Sequence, residues 1–283
     1  MEVIKNIVDM QRRAEQIRLS GKTIAFVPTM GFFHEGHLEL MKVGRSNADQ
    51  LVISIFVNPI QFGPSEDYEK YPRDMEGDLK KADEVGVDIA FLPSASEMYP
   101  DGFQTNISVK ELTRHLCGLS RPGHFDGVTT VVAKLFNIVK PHIAIFGQKD
   151  YQQLAVITRM VMDLNMDIKI VGVSTVREHD GLAMSSRNTY LSKEERVSAL
   201  CLVKSLNLAE DMVNKGEKDP NKIKESIRVL INKHPYTQID YISICHPDTL
   251  EELESIMDRS LVALAVKVGG ARLLDNRILI KSK

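Results

Sequence analysis

Two histidines three residues apart, interleaved with two glycines, carry the first chemistry in this chain: Thr29-x-Gly31-x-x-His34-x-Gly36-His37. The stretch Met30, Gly31, Phe32, Phe33, His34, Glu35, Gly36, His37 follows a short apolar run at 23–27 and precedes an amphipathic stretch at 37–48. A loop in that position sits at the carboxyl end of a strand, where open α/β sheets bind ligands. Gly31 and Gly36 let the backbone turn tightly and approach a ligand, and the free N–H groups of the following helix face a bound phosphate. His34 and His37, on one face of that helix, can both donate to phosphate oxygens. Zinc is an alternative use for paired imidazoles, but the second histidine comes one residue early for H-E-x-x-H and no third ligand is evident. An isolated histidine at a turn ordinarily bonds to backbone; the flanking glycines shift the reading toward phosphate.

Two further stretches fit the same chemistry. Gly147, Gln148, Lys149 and Asp150 close an apolar run at 142–146 and open a helical pattern, which puts a point cation where a polyphosphate could meet it. Without a phosphate, a lysine at a helix start is a solvated side chain mildly disfavoured by the helix dipole. Met184, Ser185, Ser186 and Arg187 combine hydroxyls with a guanidinium, which suits a leaving pyrophosphate, although the same residues also make an ordinary helix cap.

The two-histidine pattern resembles the nucleotide-binding signature shared by nucleotidylyltransferases and class I aminoacyl-tRNA synthetases. The 184–187 stretch is similar to the mobile KMSKS-type loop that accompanies it.

These loops need a scaffold that gathers strand ends on one side. Short apolar runs at 23–27, 51–57, 87–92, 142–146 and 168–173 alternate with helical patterns at 37–48, 73–85, 127–139 and 151–164, after an opening helix. Repeated strand–helix–strand units of this kind predict an α/β fold, a Rossmann-like doubly wound parallel sheet. Weak periodicity at 177–192 marks a hinge. Beyond it, helices at 193–214 and 220–232 and strands at 239–245, 261–268 and 278–280 predict a smaller α+β domain. We therefore expect residues 1–182 to hold the ligands and 183–283 to form a lid.

Composition narrows the function. With 283 residues the chain can bury a substantial core, and a formal net charge of −2 supplies no global basic field for nucleic acid or anionic membrane. Cys117, Cys201 and Cys245 lie far apart with no C-x-x-C pair, which predicts buried free thiols. Charges at Glu2, Lys5, Asp9, Arg12 and Arg13 interrupt any secretory apolar core, and no apolar run reaches bilayer length, so a cytoplasmic location is expected.

Further strings run in the same order along the chain: Ser54 to Phe62 (SIFVNPIQF), Tyr71-Pro72-Arg73, Arg121 to Val128 (RPGHFDGV) and Asp180-Gly181-Leu182-Ala183. With the three phosphate-type stretches they identify a resemblance to the pantothenate synthetases, from about Val3 to Asn276. The resemblance implies ATP-driven condensation of (R)-pantoate with β-alanine through an acyl-adenylate, with Mg2+, in a homodimer. It further implies ATP contacts from 30–37, from Gly147 to Asp150, from Met184 to Arg187 and from the Val176 backbone. Catalytic roles fall to His34, His37, Lys149, Ser185, Ser186 and Arg187, and pantoate contacts to Gln61 and Gln153. It names no magnesium ligands. His142, His179 and Ala271 depart from the family pattern without touching an implied contact. The alternatives left by the residues are a nucleotidylyltransferase without acyl transfer and a non-catalytic nucleotide sensor.

Overall fold

The computed structural model describes residues 1–64 and 66–281. In chain order its strands and helices are β1 (Glu2–Ile4), α1 (Ile7–Leu19), β2 (Ile24–Thr29), α2 (Glu35–Asn47), β3 (Gln50–Ile55), α3 (Met75–Val85), β4 (Ile89–Phe91), α4 (Ala95–Met98), α5 (Leu116–Ser120), α6 (His124–Val139), β5 (Ile143–Gly147), α7 (Tyr151–Asp163) and β6 (Lys169–Val173). There follow α8 (Lys193–Ala199), α9 (Cys201–Asn214), α10 (Pro220–Asn232), β7 (Thr237–Cys245), β8 (Arg259–Val268) and β9 (Ala271–Ile280).

Contacts divide the chain into two compact units. The first comprises Met1–Lys110, Arg121–Gln148 and Gln153–Ser174; the second comprises Glu111–Ser120, Lys149–Gln152 and Thr175–Lys283.

In the first unit the sheet order is β1-β4-β3-β2-β5-β6 and every pairing is parallel. From β2 the chain builds through β3 and β4 to one side and through β5 and β6 to the other. The order reverses between β2 and β5, so the crevice outside Thr29 and Gly147 is the sheet's topological switch point. The central strands are buried on both faces, as parallel strands covered by helices must be. Met41 of α2 and Ala82 of α3 pack with Ala25, Val27, Leu51 and Ile53 on one face of the sheet. α6 buries Val128, Val131, Val132, Leu135 and Phe136.

The second unit carries an antiparallel sheet in the order β7-β8-β9. Leu202 and Leu206 of α9 and Ile223, Ile227 and Ile231 of α10 share a core with Val262, Leu264 and Val266 of β8. α10 starts in the manner its sequence dictates, with Asp219 capping the Asn221 N–H and Pro220 in the first turn.

The expected doubly wound parallel sheet with a smaller α+β part is the observed fold. Four details differ. A three-residue strand, β1, precedes the opening helix; it is too short to show a period. β2 continues through Pro28 to Thr29, which is possible because its ladder with β5 involves only Ala25 and Phe26. The helix expected at 193–214 breaks at Leu200. β9 starts at Ala271, seven residues before the expected 278, because Asp275 interrupts its apolar alternation. All three cysteines are free and buried. Among the described residues no helix is long and apolar enough to cross a membrane.

Candidate active site

The turn after β2 is built from the backbone outward. Thr29 Oγ1 donates to the Ser54 carbonyl at 2.6 Å and accepts the Gly31 N–H at 3.2 Å, tying the end of β2 to β3. Gly31 then takes a φ of +84°, and a Cβ there would lie 2.9 Å from both Asp78 Oδ2 and Ile55 Cγ2. Only glycine meets both demands. Phe32 also adopts a left-handed φ, +54°. What holds it there is Asp78, whose two carboxylate oxygens accept the Phe32 and Phe33 N–H groups at 2.6 Å each. Lys81, one turn further along α3, donates to the Phe33 carbonyl at 2.7 Å. Burial pushes the Asp78 carboxyl above its usual range, against the pull of those two N–H groups and Lys81.

His34 and His37 form a reciprocal cap on α2. His34 Nδ1 accepts the Gly36 N–H at 3.1 Å, and His37 Nδ1 accepts the His34 N–H at 3.3 Å. The ring centroids are 4.1 Å apart. An imidazole that accepts at Nδ1 is neutral and carries its proton at Nε2. Both rings are thus set as Nε2–H donors at a helix N-terminus. The structural reading and the phosphate reading of these histidines are compatible, because the two nitrogens of each ring divide the tasks.

At the neighbouring strand end, a Cβ on Gly147 would meet no atom of the described residues within 4 Å beyond its own chain neighbours, so the crevice beside β2 is open there. Gln61 lies in a 3-10 turn after β3; its Nε2 donates to Met30 Sδ at 3.3 Å, which brings it against the two-histidine turn. Its backbone carbonyl bonds His124 Nδ1 at 2.8 Å, and Arg121 grips Glu66 with two bonds of 2.5 and 2.6 Å. Burial works to raise the Glu66 carboxyl, yet Arg121, with help from the Gly63 N–H and His124, holds it below the ordinary carboxylate range. Gln153 is half-buried on α7.

In the second unit, Val176 and Met184 face each other across an antiparallel finger: the Met184 N–H donates to the Val176 carbonyl at 3.0 Å, beside an Arg177–Ala183 bridge. Ser185 caps the 3-10 turn Ser186–Tyr190 by accepting the Arg187 N–H at 3.3 Å, and Ser186 is buried. The finger is braced by Arg177, bidentate to buried Asp275 at 2.8 and 2.9 Å, and by Arg196, which bonds Glu178 and Asp180 at 2.7 Å. Lys149 is mostly buried, with Nζ 3.5 Å from Asp150 Oδ1, and its carbonyl accepts from Asn276 Nδ2 at 2.8 Å. The structure therefore gathers 30–37, Gln61, Gly147 and Gln148 in the first unit and Lys149, Asp150, Val176 and Met184 to Arg187 in the second.

Sequence reasoning assigned no role to Asp78, Lys81, Asn58 or Asn276. For Asp78 there was a signal: a carboxylate on the apolar stripe of α3 with Leu79 and Ala82. The others act on backbone or amide groups, which leave no mark in a sequence.

A parallel sheet whose order reverses beside a two-histidine helix cap defines an α/β enzyme of the nucleotidyl-transfer type. A family model described as Pantoate-beta-alanine ligase matches residues 2–278. The chain belongs to this family. It is 58% identical over 278 residues to a pantothenate synthetase of Syntrophus aciditrophicus, covering 98% of this chain and 97% of that one. It is 55% identical over 283 residues to the one from Caldicellulosiruptor bescii, covering all of both chains. Among solved structures, pantothenate synthetase from Thermus thermophilus superposes with a TM-score of 0.93 at 42% identity, covering 98% of this chain and 99% of that one. A pantoate–β-alanine ligase from Francisella tularensis, complexed with β-γ ATP and β-alanine, gives 0.81 at 33% identity, covering 100% and 98%.

Proposed function

We propose that this enzyme condenses (R)-pantoate with β-alanine, consuming ATP and releasing AMP and pyrophosphate through a pantoyl-adenylate. The observation that carries the reading is the reciprocal histidine cap at the carboxyl end of β2, found in a chain of this family.

Pantoate's carboxylate attacks the α-phosphorus in line and pyrophosphate leaves; the β-alanine amine then attacks the acyl carbon and AMP leaves. Neutral Nε2–H donors of His34 and His37 meet charge developing on the phosphate oxygens without a proton having to move first. Residues 30–37, Gly147 to Asp150, the Val176 backbone and Met184 to Arg187 hold ATP; Lys149 and Arg187 answer the charge on departing pyrophosphate, with Ser185 and Ser186 as hydroxyl donors. Gln61 and Gln153 clamp pantoate as neutral amides, which orient the carboxylate without blunting it as a nucleophile.

Among the described residues no group of three or more His, Cys, Asp or Glu is placed to hold a metal ion. Mg2+ is read as entering with the nucleotide as part of the substrate. When bound it supplies charge neutralisation to the triphosphate. The reading extends to a cytoplasmic homodimer and to residues 183–283 acting as a lid that keeps water from the adenylate.

Product analysis with ATP, pantoate and β-alanine, each omitted in turn, tests the proposal. Sustained turnover to AMP, pyrophosphate and pantothenate in equal amounts is expected only with the amine present; without it, pyrophosphate release stops once the enzyme holds pantoyl-adenylate. ADP as the nucleotide product, or multiple-turnover release of a nucleotidylated product that the amine does not consume, rules it out.

A further inference from the structure

Buried amides can be oriented by working outward from a group whose role is fixed. Asn58 is 1% exposed, and its amide nitrogen lies 3.1 Å from the Gly127 carbonyl and 3.0 Å from Gln61 Oε1. A backbone carbonyl only accepts, so the Asn58 group facing Gly127 must be the NH2. Asn58 Oδ1 is then turned to Tyr99 Oη, 2.7 Å away, and the phenol must be the donor. Burial raises the Tyr99 phenol far above the ordinary tyrosine range, so that proton stays in place. The second Asn58 hydrogen fixes Gln61 Oε1 as an acceptor, which leaves Gln61 Nε2 directed the other way, to Met30 Sδ. A thioether is a weak acceptor that a ligand oxygen displaces at little cost. The whole relay depends on the close approach of α6: a Cβ on Gly127 would stand 2.5 Å from the Ile60 carbonyl oxygen and 2.7 Å from the Gln61 nitrogen.

The geometry points to Tyr99 as a positioning residue that holds Asn58 in the orientation its Gly127 bond selects, and through Asn58 keeps the Gln61 amide turned so that Gln61 offers an N–H to an oxygen of the acid substrate. The inference rests on the reading of Gln61 as a pantoate ligand. It deepens that reading by naming what the site requires: a carboxylate or hydroxyl lone pair opposite Gln61, and no N–H donor there. Tyr99 itself touches no substrate; its ring is held by Phe103, 5.1 Å between centroids, and by Lys134 5.8 Å above it.

The test is a set of four variants, Tyr99→Phe, Gln61→Ala, the double variant and Gln61→Glu, compared by melting and by KM for pantoate and for ATP. Losing one buried hydrogen bond from the relay is expected to raise KM for pantoate about tenfold in Tyr99→Phe, with KM for ATP unchanged. In the Gln61→Ala background the same change adds nothing to KM for pantoate. Gln61→Glu keeps an acceptor toward Asn58 but presents an acceptor to the substrate, so it binds pantoate worse than Gln61→Ala and regains affinity as pH falls and the carboxyl takes up a proton. The relay is overturned if Tyr99→Phe lowers the melting temperature without moving KM for pantoate, if its effect is the same in both backgrounds, or if Gln61→Glu binds pantoate as well as Gln61→Ala. Should Gln61→Ala leave KM for pantoate at its parental value, the assignment of Gln61 itself is what fails, and that result is distinct from the others.

Discussion

His37 turns its Nδ1 back onto the backbone N–H of His34, 3.3 Å away, which commits that nitrogen to structure and puts the ring's proton on Nε2. The two duties are separable. Glutamine at the third position of a helix satisfies the same cap through its side-chain oxygen. His37→Gln is therefore expected to melt within about 2 °C of the parent while turnover falls ~100–1000-fold, the usual consequence of removing a preorganised donor. His37→Ala loses the cap as well and shifts both quantities. Melting curves and single-turnover rates measured on the same samples check this, and near-parental turnover in His37→Gln would leave the ring with a structural role only.

Two glycines at the switch point respond oppositely to the same added methyl. Gly31 has a φ of +84° and no room for a Cβ, so Gly31→Ala is expected to cost about 1–3 kcal/mol in backbone strain, with the contact to Asp78 adding to it. At Gly147 a Cβ meets no atom of the described residues beyond its own chain neighbours. Gly147→Ala is expected to melt like the parent yet raise KM for ATP about tenfold, because the methyl occupies ligand space rather than protein space. Unchanged KM for ATP in a well-folded Gly147→Ala protein would move the nucleotide away from the end of β5.

Adjacent glutamines on α7 divide in the same way. Gln152 is buried; its Nε2 donates to the Leu112 and His115 carbonyls at 2.8 and 2.7 Å, and its Oε1 accepts the Cys117 N–H at 2.9 Å. It holds Glu111–Ser120 in the second unit. Gln152→Leu removes a partner from the Leu112 carbonyl and the Cys117 N–H, while the His115 carbonyl keeps the Gly118 N–H at 2.8 Å, and is expected to destabilise by about 1–3 kcal/mol for each group that stays unpaired. Gln153→Leu is expected to leave melting unchanged and raise KM for pantoate. Urea titration and pantoate kinetics on the two variants separate the roles, and the reverse pattern would exchange them.

The strand–helix alternation and the two-histidine turn could be read from the sequence because both are local: periodicity and spacing survive without coordinates. What could not be read depends on distant groups. Asp78 follows the turn it pins by 45 residues or more, and nothing near Phe32 announces a left-handed residue held by a carboxylate. Asp275 reads as a break in β9, although in the fold it is the buried partner of Arg177. Glu111–Ser120 has no clear period in the sequence, and what holds it in the second unit is Gln152 together with Arg272, which donates to Ser120 Oγ at 3.0 Å. The sequence pattern shows which residues are apolar; it does not show which polar residues satisfy buried backbone.

His142 is one of the positions at which the sequence departs from the resemblance, and the structure gives the residue a consequence. Its Nδ1 accepts the Ile24 N–H at 2.9 Å at the start of β2. Partial burial, and then the nearby Arg18 guanidinium, lower its pKa below the ordinary imidazole value, while Asp167 and Asp49 pull the other way. Because the folded value lies below the unfolded one, the unfolded chain binds more protons between the two. Stability then rises with pH across that interval. The contribution is fully present above the unfolded value of about 6.5 and is lost as pH falls through the folded one, where a protonated ring can no longer accept from Ile24. His142→Asp supplies an acceptor that stays ionised over the same range and sits beside Arg18. Urea denaturation at intervals from pH 8 to pH 5 should show the parent losing stability relative to His142→Asp on the acid side and matching its slope above neutrality. Parallel curves throughout would mean that the imidazole's bond to Ile24 contributes nothing to the fold.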